Sequence, residues 1–184
     1  MKKVSIIGAG SFGTALSVVL GHGGFKVMMW ARERSVVEKI NSERRNPDYI
    51  SDVELPESVS ATVSLEECLD SAEIVLFATP THALRSVAKN AKPYLSGKEI
   101  IVTVSKGIEK DSFMTPTQIL VEVLDGVVLE DQIGVLSGPS HAEEVSKFKP
   151  TTVVAAAYSK RVARIIQETF MTPMFRVYLN QDLI

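Results

Sequence analysis

The chain has 184 residues, of which 45% are hydrophobic and 23% are charged, and its net charge is −2. This length and composition are typical of a globular domain with a substantial core. The near balance of charge excludes a general attraction to nucleic acid or anionic membranes, because such binding needs a concentrated basic surface. The single cysteine, Cys68, excludes an internal disulfide and is typical of a reducing compartment.

Membrane and metal sites are not indicated by the sequence. The N-terminal apolar run Val4–Ile7 stops at Gly8, which is too short for the hydrophobic part of a signal peptide. No stretch approaches the roughly 20 apolar residues of a membrane span. We therefore expect a cytoplasmic protein. No His, Asp or Glu cluster accompanies Cys68 in the sequence, so we expect no metal site.

Short apolar, β-branched runs alternate with helix-like segments along the chain. The pattern predicts strands at 3–8, 26–31, 73–80, 99–107, 132–139, 151–157 and 175–180, and helices at 14–20, 35–41, 82–91, 116–124, from about 141, and at 159–169. A looser region with Pro47 and Pro56 interrupts the alternation. Uninterrupted apolar strands between helices indicate βαβ units. We therefore predict a single α/β domain over residues 1–184, with a doubly wound and mainly parallel sheet.

A glycine-rich turn joins the first predicted strand to the first helix. Its pattern is Gly8-x-Gly10-x-x-Gly13. Gly8 permits a tight turn, Gly10 lets a pyrophosphate approach the backbone, and Gly13 lets helix and strand pack closely. The free N–H groups and the positive end of the helix dipole favour phosphate. The turn predicts dinucleotide binding with Ser11 and Phe12 facing the cofactor. The alternative is that Ser11 caps the helix and Phe12 belongs to the core.

The end of the second predicted strand bears on the choice of cofactor. An acidic residue there holds the ribose 2′-hydroxyl of NAD, whereas an arginine suits the 2′-phosphate of NADP. Arg32 favours NADP by its charge and by its capacity to stack on adenine. The neighbouring Glu33 is suited to the ribose contact instead. We favour NADP and keep NAD as the alternative, and we interpret Arg34 as a solvated charge.

Three later strand ends, at 78–82, 104–109 and 136–145, carry polar or conformationally special residues. Ligands of open α/β sheets lie at such ends. Lys106 is predicted to anchor a substrate anion or to polarise a carbonyl, although a single loop lysine is usually only solvated. Ser140 and Glu143 form a capping-box pattern, which predicts a helix start with Gly138 and Ser140 at an anion-receptive N-terminus. The alternative is that Ser140 only caps this helix.

These segments resemble a known family. GAGSFGTAL, VSKGIE and LSGPSHAEEV, together with DYI at 48–50 and FRVYLNQDLI at 175–184, closely resemble bacterial NAD(P)-dependent glycerol-3-phosphate dehydrogenase. The resemblance covers the whole chain and implies reversible reduction of dihydroxyacetone phosphate to sn-glycerol 3-phosphate for phospholipid synthesis. It also implies a Rossmann-like fold. We expect a small-molecule substrate and no nucleic-acid partner, with a homodimer as the assembly to test.

The resemblance also implies roles for individual residues. The predicted substrate contacts are Lys106, Gly138 and Ser140, and the predicted cofactor contacts are Gly8, Gly10, Ser11, Phe12, Gly13, Arg32, Glu33, Tyr49, Lys106 and Ala142. This chain departs from the family's pattern at Phe12, where tryptophan is common, at Ile50, where leucine is usual, and at Glu33, where many relatives carry a basic residue.

The family's catalytic lysine and its helical, phosphate-gripping domain are expected beyond Ile184. We therefore expect no catalytic residue within this chain, which would be the cofactor-binding half of the enzyme. Two alternatives remain open from the sequence. One is a related two-domain hydroxyacid or ketopantoate reductase, and the other is a non-catalytic dinucleotide-binding module that senses redox state.

Overall fold

The computed structural model describes residues 2–183. Within them the strands are β1 (Lys3–Ile7), β2 (Lys26–Trp30), β3 (Val59–Thr62), β4 (Ile74–Phe77), β5 (Ile100–Thr103), β6 (Ile133–Ser137), β7 (Thr151–Ala157) and β8 (Phe175–Leu179). The α-helices are α1 (Ser11–His22), α2 (Arg34–Glu43), α3 (Leu65–Leu69), α4 (Thr81–Ala91), α5 (Pro116–Leu124), α6 (Ala142–Ser146) and α7 (Lys160–Phe170). None of these helices is long and apolar enough to cross a bilayer.

All eight strands form one sheet in the order β3-β2-β1-β4-β5-β6-β7-β8. The pairs from β3 through β6 are parallel, β7 is antiparallel to β6, and β8 is parallel to β7. The strand order reverses direction between β1 and β4, which in open α/β sheets opens a crevice at the carboxyl ends of the strands. The predicted doubly wound, mainly parallel α/β fold is confirmed.

Both faces of the sheet are buried, which explains the uninterrupted apolar strands. Successive side chains of a strand point to opposite faces, so Ile6 and Ile7 of β1 belong to different core clusters. Helices α1, α2, α6 and α7 contribute buried side chains to the cluster of Ile6. Helices α3, α4 and α5 contribute to the cluster of Ile7. The glycine turn after β1 is therefore held by two packed layers.

The region interpreted as loose, around Pro47 and Pro56, contains two elements that the pattern did not predict. They are the edge strand β3 and the short helix α3, whose N-cap Ser64 accepts a hydrogen bond from the Glu67 N–H at 3.2 Å. Both elements are only four or five residues long, which is at or below the shortest length over which a periodic pattern of hydrophobic residues can be recognised. The other predicted elements are present, with ends that shift by a few residues.

Candidate functional site

The turn between β1 and α1 packs tightly against its neighbours. Gly8 has a φ of 120°, which side-chain-bearing residues avoid, and its N–H donates to the Trp30 carbonyl at 3.0 Å. A Cβ added at Gly8 would lie 2.6 Å from the Ala78 carbonyl oxygen. A Cβ added at Gly13 would lie 2.1 Å from the Gly8 carbonyl oxygen. The predicted need for glycine at both positions, for the turn and for close packing, is confirmed.

Gly10 differs from the other two glycines because space is open beside it. A Cβ built on Gly10 would have the Tyr49 ring carbon Cε1, at 4.0 Å, as its nearest neighbour. Gly10 is the N-cap of α1, and no side chain caps this helix. The first N–H groups of an uncapped helix have no intrahelical partner and carry the positive end of the dipole. An open space beside unpaired N–H groups fits the pyrophosphate of a dinucleotide.

A cleft of about 280 Å³ opens from this turn along the carboxyl ends of β1, β2 and β4. It brings together five of the predicted cofactor residues, which are Gly8, Gly10, Arg32, Glu33 and Tyr49. The predicted strand end at 78–82 also lines it, through Thr79, Pro80 and His82 among others. The hydroxyl of Thr79 is buried and has no hydrogen-bond partner within the described chain. The cleft therefore combines an apolar wall with the charged pair Arg32 and Glu33.

Arg32 and Glu33 pair with each other at the rim of this cleft. The Arg32 guanidinium donates to Glu33 Oε1 from Nη2 at 2.7 Å and from Nε at 2.9 Å. The hydrogen bonds from Arg32 to this carboxylate, more than its charge alone, raise the pKa of the Arg32 guanidinium. A ligand 2′-phosphate would compete with Glu33 for Arg32, and a ribose hydroxyl would meet the Glu33 carboxylate. The rim therefore suits either form of the cofactor.

Lys106, in the loop after β5, lies between the glycine turn and a second cleft. Its Nζ donates to the Gly138 carbonyl at 2.9 Å and lies 5.7 Å from the centroid of the Phe12 ring. Lys106 and Gly138 line the second cleft, together with Thr115 and Asn180 among others. An ammonium group in this position can meet an anionic or carbonyl oxygen that enters from the second cleft.

The loop that carries Lys106 is held by a charged brace. The Arg85 guanidinium of α4 donates to Glu109 from Nε and Nη2, at 2.8 to 3.1 Å, and to Glu122 of α5 at 2.6 Å. The hydrogen bonds from Arg85, followed by that from Ser112, lower the pKa of Glu109 to about 2. The Thr81 hydroxyl donates to the Lys106 carbonyl at 2.7 Å. Helix α4 therefore fixes the backbone from which the Lys106 side chain extends.

The model of one family, described as NAD-dependent glycerol-3-phosphate dehydrogenase N-terminus, matches residues 3–163. The chain belongs to this family. The predicted resemblance is confirmed, and the match to this family does not favour the reductase or the redox-sensing module.

Relatives of the glycerol-3-phosphate dehydrogenase family match the whole chain. The glycerol-3-phosphate dehydrogenase [NAD(P)+] of Bacillus velezensis is 46% identical over 184 residues, which are 100% of this chain and 53% of the relative. That of Bacillus subtilis is 44% identical with the same coverage. A crystal structure of the glycerol-3-phosphate dehydrogenase from Coxiella burnetii superposes with a TM-score of 0.91 at 32% identity, and covers 99% of this chain and 55% of that one. The chain thus spans about half the length of the curated relatives it matches.

Some residues predicted as family contacts do not line either cleft. Ser11 is the first residue of α1, and its hydroxyl donates to the Tyr49 carbonyl at 3.4 Å, so Ser11 is not the side-chain cap that the alternative required. Phe12 is half-buried against the core, as the core interpretation held, while its ring faces Lys106. Gly13 and Ala142 are buried. These four residues lie outside the walls of both clefts.

The prediction of a capping box at Ser140 is wrong. Helix α6 begins at Ala142, its N-cap is His141, and the N–H groups of Glu144 and Val145 donate to the His141 carbonyl. The Ser140 hydroxyl instead donates to the Gly138 carbonyl at 3.3 Å, so it does not cap the helix. Because α6 starts at Ala142, Gly138 and Ser140 precede its N-terminus and are not part of it. Gly138 and Ser140 remain predicted substrate contacts only through the family resemblance.

Sequence reasoning missed Asn46, Arg85 and Glu109. Each of these side chains has a hydrogen-bond partner at least 24 positions away in the chain, and no local pattern carries that information. Within residues 2–183 no group of three or more His, Cys, Asp or Glu residues is arranged to hold a metal ion. Cys68 is buried, and this burial raises the pKa of its thiol to about 12.

Proposed function

We propose that this chain is the NAD(P)-binding part of a glycerol-3-phosphate dehydrogenase, which interconverts dihydroxyacetone phosphate and sn-glycerol 3-phosphate. Its curated relatives carry that name and cover its full length. The observation that carries the proposal is the glycine turn, whose open Gly10 and uncapped α1 face the same cleft as Arg32 and Glu33.

The cofactor residues divide into two groups under this proposal. The pyrophosphate would lie at Gly10 and the first turn of α1, where unpaired N–H groups await an anion. The adenosine end would lie at Arg32 and Glu33, with the exposed ring of Tyr49 flanking the turn. We favour NADP because Arg32 projects from the rim with most of its side chain exposed. NAD remains compatible with Glu33.

The substrate would approach from the second cleft. The bound nicotinamide ring supplies or accepts a hydride. Lys106 would bind the anionic or carbonyl oxygen of the substrate, since its ammonium lies between Phe12 and Gly138. Gly138 and Ser140 would complete the contacts to the phosphate-bearing molecule. We assign no general acid among the described residues.

Cofactor binding tests the proposal directly. Calorimetric titration of the chain with NADP+ and NAD+ should show binding, and Gly10→Val should abolish it by filling the pyrophosphate space. Ser42→Val, an exposed position on α2, is the matched control and should leave binding unchanged. Absence of binding by the unmodified chain, or undiminished binding by Gly10→Val, would contradict the assignment of this turn.

The reaction is tested on the full-length protein. Dihydroxyacetone phosphate should drive the oxidation of NADPH or NADH, and sn-glycerol 3-phosphate should drive the reverse reaction. Oxidation with 2-keto acids or ketopantoate, and none with dihydroxyacetone phosphate, would contradict the proposed substrate. A homodimer and a cytoplasmic location are further parts of the proposal, and sedimentation and cell fractionation test them.

A further inference from the structure

Asn46 is a fully buried residue in the connection between α2 and β3, and its side chain reaches the glycine turn. Its Nδ2 donates to the Ala9 carbonyl at 2.8 Å and to the Thr14 hydroxyl oxygen at 2.8 Å. The Thr14 hydroxyl lies 3.4 Å from the same Ala9 carbonyl and donates to it. The carbonyl between Gly8 and Gly10 is therefore held inward by two donors.

The orientation of that carbonyl decides where the next N–H points. The chain contains no cis peptide bond among the described residues, and in a trans peptide the C=O and the following N–H point in opposite directions. With the Ala9 carbonyl directed into the protein, the Gly10 N–H is directed away from it, toward the cleft that Gly10 lines. We infer that Asn46 is a positioning residue for the dinucleotide, because its amide sets the peptide plane that presents the Gly10 N–H to the pyrophosphate.

The backbone of Asn46 also fixes the opposite side of the open space beside Gly10. The Asn46 carbonyl accepts the N–H groups of Tyr49 at 3.1 Å and Ile50 at 2.8 Å. This turn places the Tyr49 ring beside Gly10. The side chain of Asn46 thus orients the glycine turn, and its backbone orients the flanking tyrosine.

The unpaired half of the amide supports a role in positioning. Asn46 Oδ1 is buried and has no hydrogen-bond partner within the described chain. A buried unpaired acceptor is destabilising, so it offsets part of what the two Nδ2 hydrogen bonds contribute to folding. The amide bonds only through Nδ2, which donates to the Ala9 carbonyl in the glycine turn and to the Thr14 hydroxyl in α1.

The inference rests on the proposed cofactor function, and its test separates the two. The dissociation constant Kd of the chain is measured for NADP+ and for adenosine 2′-phosphate, which shares the adenosine end but has no pyrophosphate. Asn46→Leu should raise the Kd for NADP+ about tenfold or more, as expected for the loss of a hydrogen bond to a charged group. The Kd for adenosine 2′-phosphate should change by less than about twofold, because the Arg32 rim is untouched.

Asn41→Leu is the matched control. The Asn41 side-chain amide also bonds backbone, donating to the Ala61 carbonyl at 2.9 Å and accepting the Ala61 N–H at 2.8 Å. Its partner Ala61 belongs to β3, which β2 separates from β1 and its glycine turn. This variant should lower the melting temperature and leave both Kd values unchanged. A general loss of order in Asn46→Leu would raise the Kd values for both ligands by the same factor. Misplacement of the glycine turn would raise only the Kd for NADP+.

Each result has a defined meaning. Unchanged NADP+ binding by a folded Asn46→Leu variant, or equal weakening of both ligands, overturns the inference while the proposed function stands. No binding of NADP+ or NAD+ by the unmodified chain overturns both. If Asn46→Leu does not fold, Asn46→Ser keeps a polar side chain at the position and removes the Nδ2 donor to Ala9. It should then weaken NADP+ selectively, and unchanged NADP+ binding by it would overturn the inference.

Discussion

Alanine substitutions at Gly13 and Gly10 should separate the folding role of the glycine turn from its binding role. At Gly13 the new Cβ would lie 2.1 Å from the Gly8 carbonyl oxygen, a backbone atom that cannot rotate away. Such overpacking costs up to about 3 kcal/mol, and the better helix propensity of alanine returns about 1 kcal/mol. A net loss of about 2 kcal/mol corresponds to a fall in melting temperature of about 4–8 °C for a chain of this size.

At Gly10 the same substitution meets no obstacle in the protein. The φ of −73° is ordinary, and the nearest neighbour of the new Cβ is 4.0 Å away. Loss of glycine at an N-cap costs a few tenths of a kcal/mol or somewhat more, and the reduced entropy of the unfolded chain offsets about 0.4–1 kcal/mol. The melting temperature should therefore move by no more than about 2 °C. The methyl group would, however, displace a pyrophosphate from the N–H groups. The loss of one charge-assisted hydrogen bond costs about 1.5–3 kcal/mol, which raises the Kd for NADP+ about tenfold or more.

Thermal unfolding followed by circular dichroism and calorimetric titration with NADP+ measure the two effects on the same samples. The expected pattern is a destabilised Gly13→Ala and a stable Gly10→Ala that binds poorly. If Gly10→Ala binds NADP+ and NAD+ as tightly as the unmodified chain, the pyrophosphate does not lie at this turn. If Gly13→Ala melts at the original temperature, the close packing of Gly13 on Gly8 does not require glycine at position 13.

The rim pair Arg32–Glu33, the carboxylate of Glu109 and the thiol of Cys68 can each be tested by substitution or modification. Arg32→Ala should weaken NADP+ about tenfold or more and NAD+ less, whereas Glu33→Gln should favour NADP+ over NAD+; equal losses for both cofactors in Arg32→Ala would instead indicate adenine stacking. The pKa of Glu109 is lowered from 4.5 to about 2, so its contribution to stability is present above pH 4.5 and is lost as the pH falls toward 2. Acid titration of stability should thus be shallower over that range in Glu109→Gln, and identical profiles would contradict the brace with Arg85. Cys68, buried with a thiol pKa of about 12, should react with a thiol reagent only on unfolding, and rapid reaction of the native chain would refute its burial.

The fold was predictable where burial leaves a regular pattern. Strands such as β1 and β4 are covered on both faces, so they read as continuous apolar runs between helices. The same capping pattern gives opposite outcomes at two places. Ser64 caps α3 by accepting the Glu67 N–H, while Ser140, three residues before Glu143, donates instead to the Gly138 carbonyl. The sequence pattern indicates only that the serine is able to cap a helix. Whether a nearby backbone carbonyl, here that of Gly138, binds the serine hydroxyl instead depends on the loop conformation, which the pattern does not specify.

The candidate site also has a part that the sequence predicts and a part that it does not. That Gly8, Gly10, Arg32 and Glu33 line one cleft was predictable, because they follow neighbouring strands whose carboxyl ends meet at one edge of an open α/β sheet. Asn46 was not, because its partner Ala9 is 37 residues away in the sequence. A motif identifies which backbone can accept a phosphate, but the direction of each N–H depends on contacts from outside the motif. Two chains with the same glycines could therefore differ in affinity through the residue that stands at the position of Asn46. A larger side chain at Gly10 would block the pyrophosphate directly. A change at Asn46 would leave the space open but would turn the Gly10 N–H away from the pyrophosphate.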